Sequence, residues 1–117
     1  FFLGPQEQSI KNEIIDIFPN AILPEEIITE FSGPEIVMAS TRYLSCALSN
    51  DSGVSHMLST NNCPLVKLFG PKDANKFTPN LSNLHTISAT NFSSTMIEKI
   101  PSDFVINKMN NLLSEYN

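Results

Sequence analysis

Residues 46–71 read CALSNDSGVSHMLSTNNCPLVKLFGP, and this stretch decides the fold. Two short apolar runs flank a turn-rich segment, and Gly70-Pro71 closes the second run in the way that turns close strands. The predicted elements are a strand over Cys46–Ser49, a helix over Val54–Thr60 and a strand over Leu65–Phe69. Strand, helix and strand in succession predict a right-handed βαβ unit. Because the first strand is short and apolar, we expect it to be buried on both faces of a parallel sheet.

The sequence on either side extends this unit into an α/β domain. Apolar residues recur at steps of three and four over residues 6–18, which predicts a helix. Ser32 and Glu35 have the spacing of a capping box, so another helix is expected to begin there. Its apolar face would hold Ile36, Val37, Tyr43 and Leu44.

The two ends of the chain carry weaker signals. Phe1–Pro5 is expected to be the end of a strand that runs into a turn, and residues 21–31 fit either a short strand or a helical turn. A further strand is predicted over Leu84–Ser88, after a polar loop. A final helix is expected from Ser102, with one stripe made of Val105, Met109, Leu112, Leu113 and Tyr116.

Composition limits the kinds of partner. The chain has 117 residues, a mass of 13.0 kDa and a net charge of −5. This length predicts a single domain over residues 1–117. A negative chain is not expected to bind nucleic acid or anionic lipid over a broad surface. An anionic ligand would therefore have to be bound at a small, local site and not by the overall charge of the surface.

The same sequence leads to expectations about where the protein is found in the cell and whether it is part of a longer chain. Cys46 and Cys63 lie beside apolar runs and are interpreted as free core thiols. No stretch approaches the roughly 20 apolar residues of a membrane span, and no signal peptide is recognisable. We therefore expect a cytoplasmic protein. Because the chain begins with Phe1 at the predicted end of a strand, we expect it to be a piece of a longer protein.

The turn after the first strand is the candidate binding site. In open parallel sheets, ligands bind beyond the carboxyl ends of the strands, where loops enter helices. Gly53 would let the backbone approach a ligand, and the amides of Gly53, Val54 and Ser55 would offer donors to phosphate oxygens. His56 would lie within reach of the same anion. Asp51 could meet that anion only with a proton or a bridging cation, so it suits sugar hydroxyls instead.

Each of these residues also has a structural interpretation. Asp51 or Ser52 could simply cap the helix, and His56 alone could be a surface or core histidine. Lys67, in an apolar strand, is interpreted as an edge or snorkelling residue. Lys72 and Lys76 are interpreted as solvated loop charges.

Several other functions are disfavoured by the sequence. Asp51, Ser52 and His56 have the residue types of a serine hydrolase, but Ser52 lacks a G-x-S-x-G elbow and the three lie on one tight turn. His56 and Cys63 lack further ligands at zinc spacing. The sequence contains no G-x-G-x-x-G or Walker A motif. No metal or cofactor is expected.

Two motifs in order carry a resemblance to a known family. Residues 49–56 read SNDSGVSH, residues 63–73 read CPLVKLFGPKD, and Phe77-Thr78-Pro79 follows. Over about residues 33–79 the chain resembles the ADP-heptose:lipopolysaccharide heptosyltransferases of glycosyltransferase family 9. The resemblance implies the C-terminal half of a GT-B glycosyltransferase, a Rossmann-like parallel sheet flanked by helices, which binds the nucleotide-sugar donor.

The resemblance also implies roles for the site. Asp51 would hold hydroxyls of the donor heptose, Ser52 and Gly53 would donate to the diphosphate, and His56 would support the charge of the leaving group. The catalytic base would come from an amino-terminal, acceptor-binding half that this chain lacks, so no catalytic residue is assigned. Lys72 and Ala74 depart from the family pattern, as does Asn61-Asn62. Lys72 would then be either a cation near the phosphates or a solvated lysine.

The expected function follows from the resemblance. The full-length parent would be an inverting heptosyltransferase that transfers heptose from ADP-heptose to the lipopolysaccharide inner core. It would work in the cytoplasm, at the inner face of the bacterial inner membrane, in peripheral association with it; this piece alone would be inactive. The alternatives are a non-catalytic module that binds nucleotides or nucleotide sugars, and an α/β fragment with no ligand.

Overall fold

The structure, a computed structural model, describes residues 1–71 and 82–116. Packing divides the chain into two compact units, Phe1–Ala39 and Ser40–Asn117. The second unit contains the sheet and all the candidate site residues. The prediction of one domain over residues 1–117 stays a prediction. Within the described residues, no helix has both the length and the apolar content to cross a membrane.

The first unit is helical. A 3₁₀ segment at Pro5–Ile10 leads into α1 (Lys11–Ile17), followed by α2 (Pro24–Ile27) and α3 (Gly33–Ser40). The helix predicted over residues 6–18 is therefore present in two parts. Pro24 at the start of α2 fits the first turn of a helix because its missing N–H needs no partner there, and residues 24–27 take the helical alternative.

The capping box at the start of α3 is confirmed. The Ser32 hydroxyl donates to Glu35 Oε1 at 2.7 Å, and the Glu35 amide donates back to Ser32 Oγ at 3.4 Å. Ile36 and Val37 are buried, as predicted. Tyr43 was expected on the same face and is 82% exposed, so that prediction is wrong. The reason is that α3 ends at Ser40 and a 3₁₀ turn over Thr41–Tyr43 changes the direction of the side chains.

The strand predicted at the amino terminus is wrong. Residues 1–4 have no regular secondary structure. The Phe1 amino group donates to the carbonyl of Ile22 at 2.9 Å, and the Phe1 ring lies 5.6 Å from that of Phe18. One hydrogen bond is too little pairing to define a strand, because a ladder needs repeated bonds along the backbone.

The second unit is built on a parallel sheet. Its described strands are β1 (Ala47–Asn50), β2 (Leu65–Phe69) and β3 (Leu84–Ser88), with β2 between the other two. The helix α4 (Gly53–Leu58) connects β1 to β2 and packs against both, and a long helix, α5 (Ser102–Tyr116), packs against β2. The predicted α/β fold class, a parallel sheet flanked by helices, is confirmed.

One face of the sheet holds the main apolar core. Val66 of β2 and Ile87 of β3 pack there with Val105 and Leu112 of α5, and Ala89 and Ile100 complete the cluster. The predicted stripe of α5 is confirmed at Val105, Met109 and Leu112, whereas Leu113 is 37% exposed. The fifteen-residue helix therefore turns a narrower apolar face to the sheet than the sequence pattern indicated.

β1 is less buried than predicted. Ala47 is buried, but Leu48 is 44% exposed. In the described sheet β1 pairs on one side, with β2, so it lies at an edge. An apolar composition does not distinguish a central strand from an edge strand, which is why burial on both faces was expected.

His85 is partly buried and carries a ring nitrogen without a hydrogen-bond partner in the described chain. Its Nε2 atom is buried and makes no hydrogen bond. Burial, reinforced by the nearby Lys108 ammonium, lowers the pKa of His85 below its ordinary 6.5, and Glu115 opposes this shift. Protonation of His85 is therefore harder in the folded chain than in the unfolded one.

We expect His85→Gln to weaken the acid sensitivity of the fold. The unfolded chain binds more protons than the folded chain as the pH falls from about 6.5 through the lowered pKa of His85, so this residue removes stability over that range. Urea unfolding at pH 7.0 and 5.5 should show a smaller loss of stability in His85→Gln than in the original chain. Equal losses in the two proteins would contradict this account of His85.

Candidate functional site

The candidate site is the turn that joins β1 to α4. β1 ends at Asn50, and the Asp51 amide still donates to the carbonyl of Leu68 in β2 at 3.0 Å. Ser52 has an extended backbone and occupies the N-cap position of α4, which begins at Gly53. Since the three described strands are parallel, their carboxyl ends share this edge of the sheet. The turn therefore lies at the edge predicted from the sequence.

Ser52 does not act as a side-chain cap. Its hydroxyl makes no capping hydrogen bond to α4. The Ser52 carbonyl is instead the acceptor, receiving the Ser55 amide at 3.1 Å and the Ser55 hydroxyl at 2.6 Å. The interpretation of Ser52 as the helix cap is confirmed for its position, although its hydroxyl does not serve the helix amides.

The set of amides available to an anion is smaller than predicted. The Ser55 amide is used by the Ser52 carbonyl, so its assignment as a free donor is wrong. Helix geometry leaves the first amides of α4, those of Gly53 and Val54, without an acceptor inside the helix. These two amides are the remaining donors of the predicted site.

Gly53 is a glycine that the fold itself does not require. Its φ angle is not positive, and a Cβ atom added to it would meet no atom within 4 Å. Gly70, in the second motif, is the opposite case. A Cβ there would lie 2.9 Å from the carbonyl oxygen of Thr95. The packing around Gly70 therefore requires a glycine. The described chain sets no such requirement at Gly53, so any requirement there must come from something that the described chain does not contain.

Asp51 is ion-paired with a buried lysine. Lys67 Nζ lies 3.0 Å from Asp51 Oδ1, and the two side chains are 2% and 18% exposed. The ammonium also lies 5.2 Å from the centre of the Phe69 ring, a distance at which a cation is attracted to an aromatic face. Asp51 is thus partly exposed at the carboxyl end of the sheet, while the Lys67 ammonium that pairs with it is buried.

Lys67 is the functional candidate that the sequence reasoning missed. It was interpreted as an edge or snorkelling residue, and that is wrong, because it lies in the central described strand and is 1% exposed. The signal was present in the sequence: a lone lysine between apolar neighbours and an acid just after the preceding strand. The register that places Asp51 beside β2 was not known from the sequence.

His56 lies in α4 and is exposed. The alternative of a core histidine is therefore wrong. Its carbonyl accepts a hydrogen bond from the Ser59 hydroxyl at 2.8 Å. A role for its imidazole beside a diphosphate stays a prediction.

Cys46 and Cys63 are free thiols of low expected reactivity. Cys46 and Cys63 are free, as predicted, with Cys63 buried and Cys46 partly buried. Burial raises the pKa of both thiols, which keeps them protonated and poorly reactive at neutral pH. Over residues 1–71 and 82–116, no group of three or more His, Cys, Asp or Glu side chains could hold a metal ion. The predictions for Lys72, Ala74, Lys76 and Phe77-Thr78-Pro79 fall outside the described residues.

A similar fold is found in a solved glycosyltransferase. The crystal structure of the glycosyl transferase family 9 from Veillonella parvula DSM 2008 matches 98% of this chain with a TM-score of 0.74, at 18% sequence identity. The match covers 36% of that protein, so this chain spans about a third of its length. No family model and no curated protein matches the sequence. The likeness shows that this chain has the same fold as about a third of that protein.

Proposed function

We propose that this chain is the donor-binding part of a family 9 glycosyltransferase, the C-terminal half of a GT-B enzyme. The observation that carries the proposal is the fold likeness over 98% of the chain to a glycosyltransferase of that family. The order and spacing of the two sequence motifs support the same assignment. The donor site would consist of Asp51, Ser52, Gly53 and His56.

The geometry suits a nucleotide-sugar diphosphate. In an inverting transfer, an acceptor oxygen bonds to the anomeric carbon while the bond from that carbon to the diphosphate breaks. The electron pair leaves with the diphosphate, so negative charge develops on its oxygens. The amides of Gly53 and Val54 and the imidazole of His56 would stabilise this charge. The base that takes the acceptor proton would come from another part of the parent enzyme.

The finer assignment extends the same proposal. The donor would be ADP-heptose, and the acceptor would be the lipopolysaccharide inner core, bound through the parent's other half. The parent would work in the cytoplasm, at the inner face of the bacterial inner membrane, in peripheral association with it. Asp51 would accept hydrogen bonds from hydroxyls of the sugar. A module that binds nucleotide sugars without transferring them is the alternative, and it would use the same turn.

Calorimetric titration of the 117-residue chain tests the assignment. The panel is ADP-heptose, ADP and a UDP-sugar, each up to millimolar concentration because half of the cleft belongs to the parent. We expect ADP-heptose to bind best, His56→Ala to weaken both ADP ligands, and Asp51→Asn to remove the advantage of ADP-heptose over ADP. Equal affinity for every diphosphate would favour the non-catalytic module. The absence of heat across the panel would contradict the proposal.

Gly53→Ala is expected to weaken the binding of ADP while leaving the stability of the fold almost unchanged. The added methyl meets open space in the chain, so the free energy of unfolding should change by less than about 1 kcal/mol. The same methyl would stand where the diphosphate approaches the backbone, so the affinity for ADP should fall by about tenfold or more. Calorimetry and thermal unfolding of the same sample measure both. Unchanged ADP affinity in a folded Gly53→Ala chain would place the diphosphate elsewhere.

A further inference from the structure

A carboxylate beside a diphosphate needs a counter-charge. The proposed donor carries its negative charges close to Asp51, and unscreened like charges at short range repel each other. Protonation of Asp51 or a bridging cation would remove the conflict. The chain supplies a cation of its own, since Lys67 Nζ lies 3.0 Å from Asp51 Oδ1.

Lys67 cannot touch a ligand directly, whereas Asp51 can. The Lys67 side chain is 2% exposed, so its ammonium cannot reach a molecule bound at the surface of the turn. On the same face of β2, Leu65 and Phe69 are each 0% exposed. Asp51, at 18%, is the member of the pair that meets the solvent. The geometry therefore places a buried positive charge behind a carboxylate that is itself partly exposed.

Stability alone is a weak reason for this pair. Burying two charges costs hydration, and well-packed apolar side chains commonly replace such pairs with no loss of stability. Between Leu65 and Phe69, a methionine or leucine would suit the strand. A lysine at this position therefore points to a role for its charge.

We propose that Lys67 is a positioning residue of the donor site. It holds the Asp51 carboxylate toward the sugar and offsets its charge, so that a diphosphate can bind beside it. This inference rests on the proposed function, and it adds a source for the counter-charge that the site requires.

A series of ligands of increasing charge tests the role of Lys67. The probes are adenosine, AMP and ADP, titrated calorimetrically into the 117-residue chain and its variants. In Lys67→Met, the Asp51 carboxylate loses the ammonium of Lys67, so we expect the affinity for ADP to fall by about tenfold or more. AMP should lose less, and adenosine should be unchanged. Lys67→Arg, which keeps the charge, should lose less ADP affinity than Lys67→Met.

The double variant separates charge from packing. Asp51→Asn with Lys67→Met removes both charges together, so ADP affinity should return to within about threefold of the original. Equal losses for adenosine and ADP in Lys67→Met would show a structural role only and would overturn the inference, as would unchanged ADP affinity. A double variant that folds but still binds ADP weakly would also overturn the inference.

Two further outcomes keep the test decisive. If Lys67→Met does not fold, Asp51→Asn replaces it in the titrations. This variant leaves the positive charge of Lys67 without the opposing carboxylate, so its affinity for ADP should be equal to or higher than that of the original chain. A lower ADP affinity would overturn the inference. If the original chain binds neither ADP nor ADP-heptose, the proposed function fails and this inference fails with it. If the original chain binds ADP and the variants do not follow ligand charge, this inference alone fails.

Discussion

Asp51→Ala should lower the free energy of unfolding by about 3 kcal/mol, although the residue lies at the rim of a turn. The reason is Lys67, whose side chain is 2% exposed and whose ammonium lies 3.0 Å from the carboxylate. Removing Asp51 leaves this buried cation without its partner, and the Phe69 ring alone compensates for little of the lost interaction. Urea unfolding followed by circular dichroism measures the effect.

The matched control is the double variant Asp51→Ala with Lys67→Met. Since it contains neither charge, it should recover most of the stability that Asp51→Ala loses. A double variant as unstable as Asp51→Ala would show that the loss comes from something other than the unpaired lysine. Asp51→Ala therefore changes folding and ligand contact together. Asp51→Asn also removes the charge, but its amide oxygen can still accept a hydrogen bond from Lys67. Asp51→Asn is for that reason the better probe of the donor.

Gly70→Ala should destabilise the fold by about 2 kcal/mol, as added methyl groups do in packed sites. An added Cβ would lie 2.9 Å from the carbonyl oxygen of Thr95 and 3.4 Å from Ile97 Cγ1. The nearer contact is with backbone, which cannot rotate away as a side chain can. The shift would therefore have to occur in the segment around Thr95.

Gly53→Ala is the matched control, being the same substitution in the other motif. It should be nearly neutral in the same unfolding experiment, because the space around Gly53 is open. The two glycines would then differ in kind: Gly70 would serve packing, and Gly53 would serve a ligand. Similar destabilisation by both substitutions would contradict this distinction.

The sheet unit could be predicted because its signals are local. Turn formers bound each apolar run, and the three strands and α4 lie within a residue or two of the predicted positions. The Ser32–Glu35 capping box is local as well and is confirmed. What failed depends on distant parts of the chain. Leu48 is exposed because β1 lies at the edge of the described sheet. Phe1 is not in a strand because its backbone makes a single hydrogen bond to Ile22 where a strand would need a ladder.

The candidate site was predicted in part for the same reason. Asp51, Ser52, Gly53 and His56 lie on one short turn, so their proximity follows from sequence spacing. The role of Lys67 depends on the register between two strands, which places residues sixteen positions apart beside each other. The use of the Ser55 amide by the Ser52 carbonyl is a detail of turn geometry that residue types do not specify.

The central claim is that the turn from Asp51 to His56 holds the diphosphate of a nucleotide sugar. Titration of ADP into the ¹⁵N-labelled chain, followed by amide chemical shifts, tests it most directly. The account predicts that the Gly53 and Val54 amides shift most, together with Ser52, and that Gly53→Ala suppresses these shifts while the chain stays folded. ADP-dependent shifts concentrated on other residues, or no shift at Gly53 and Val54 at millimolar ADP, would contradict it.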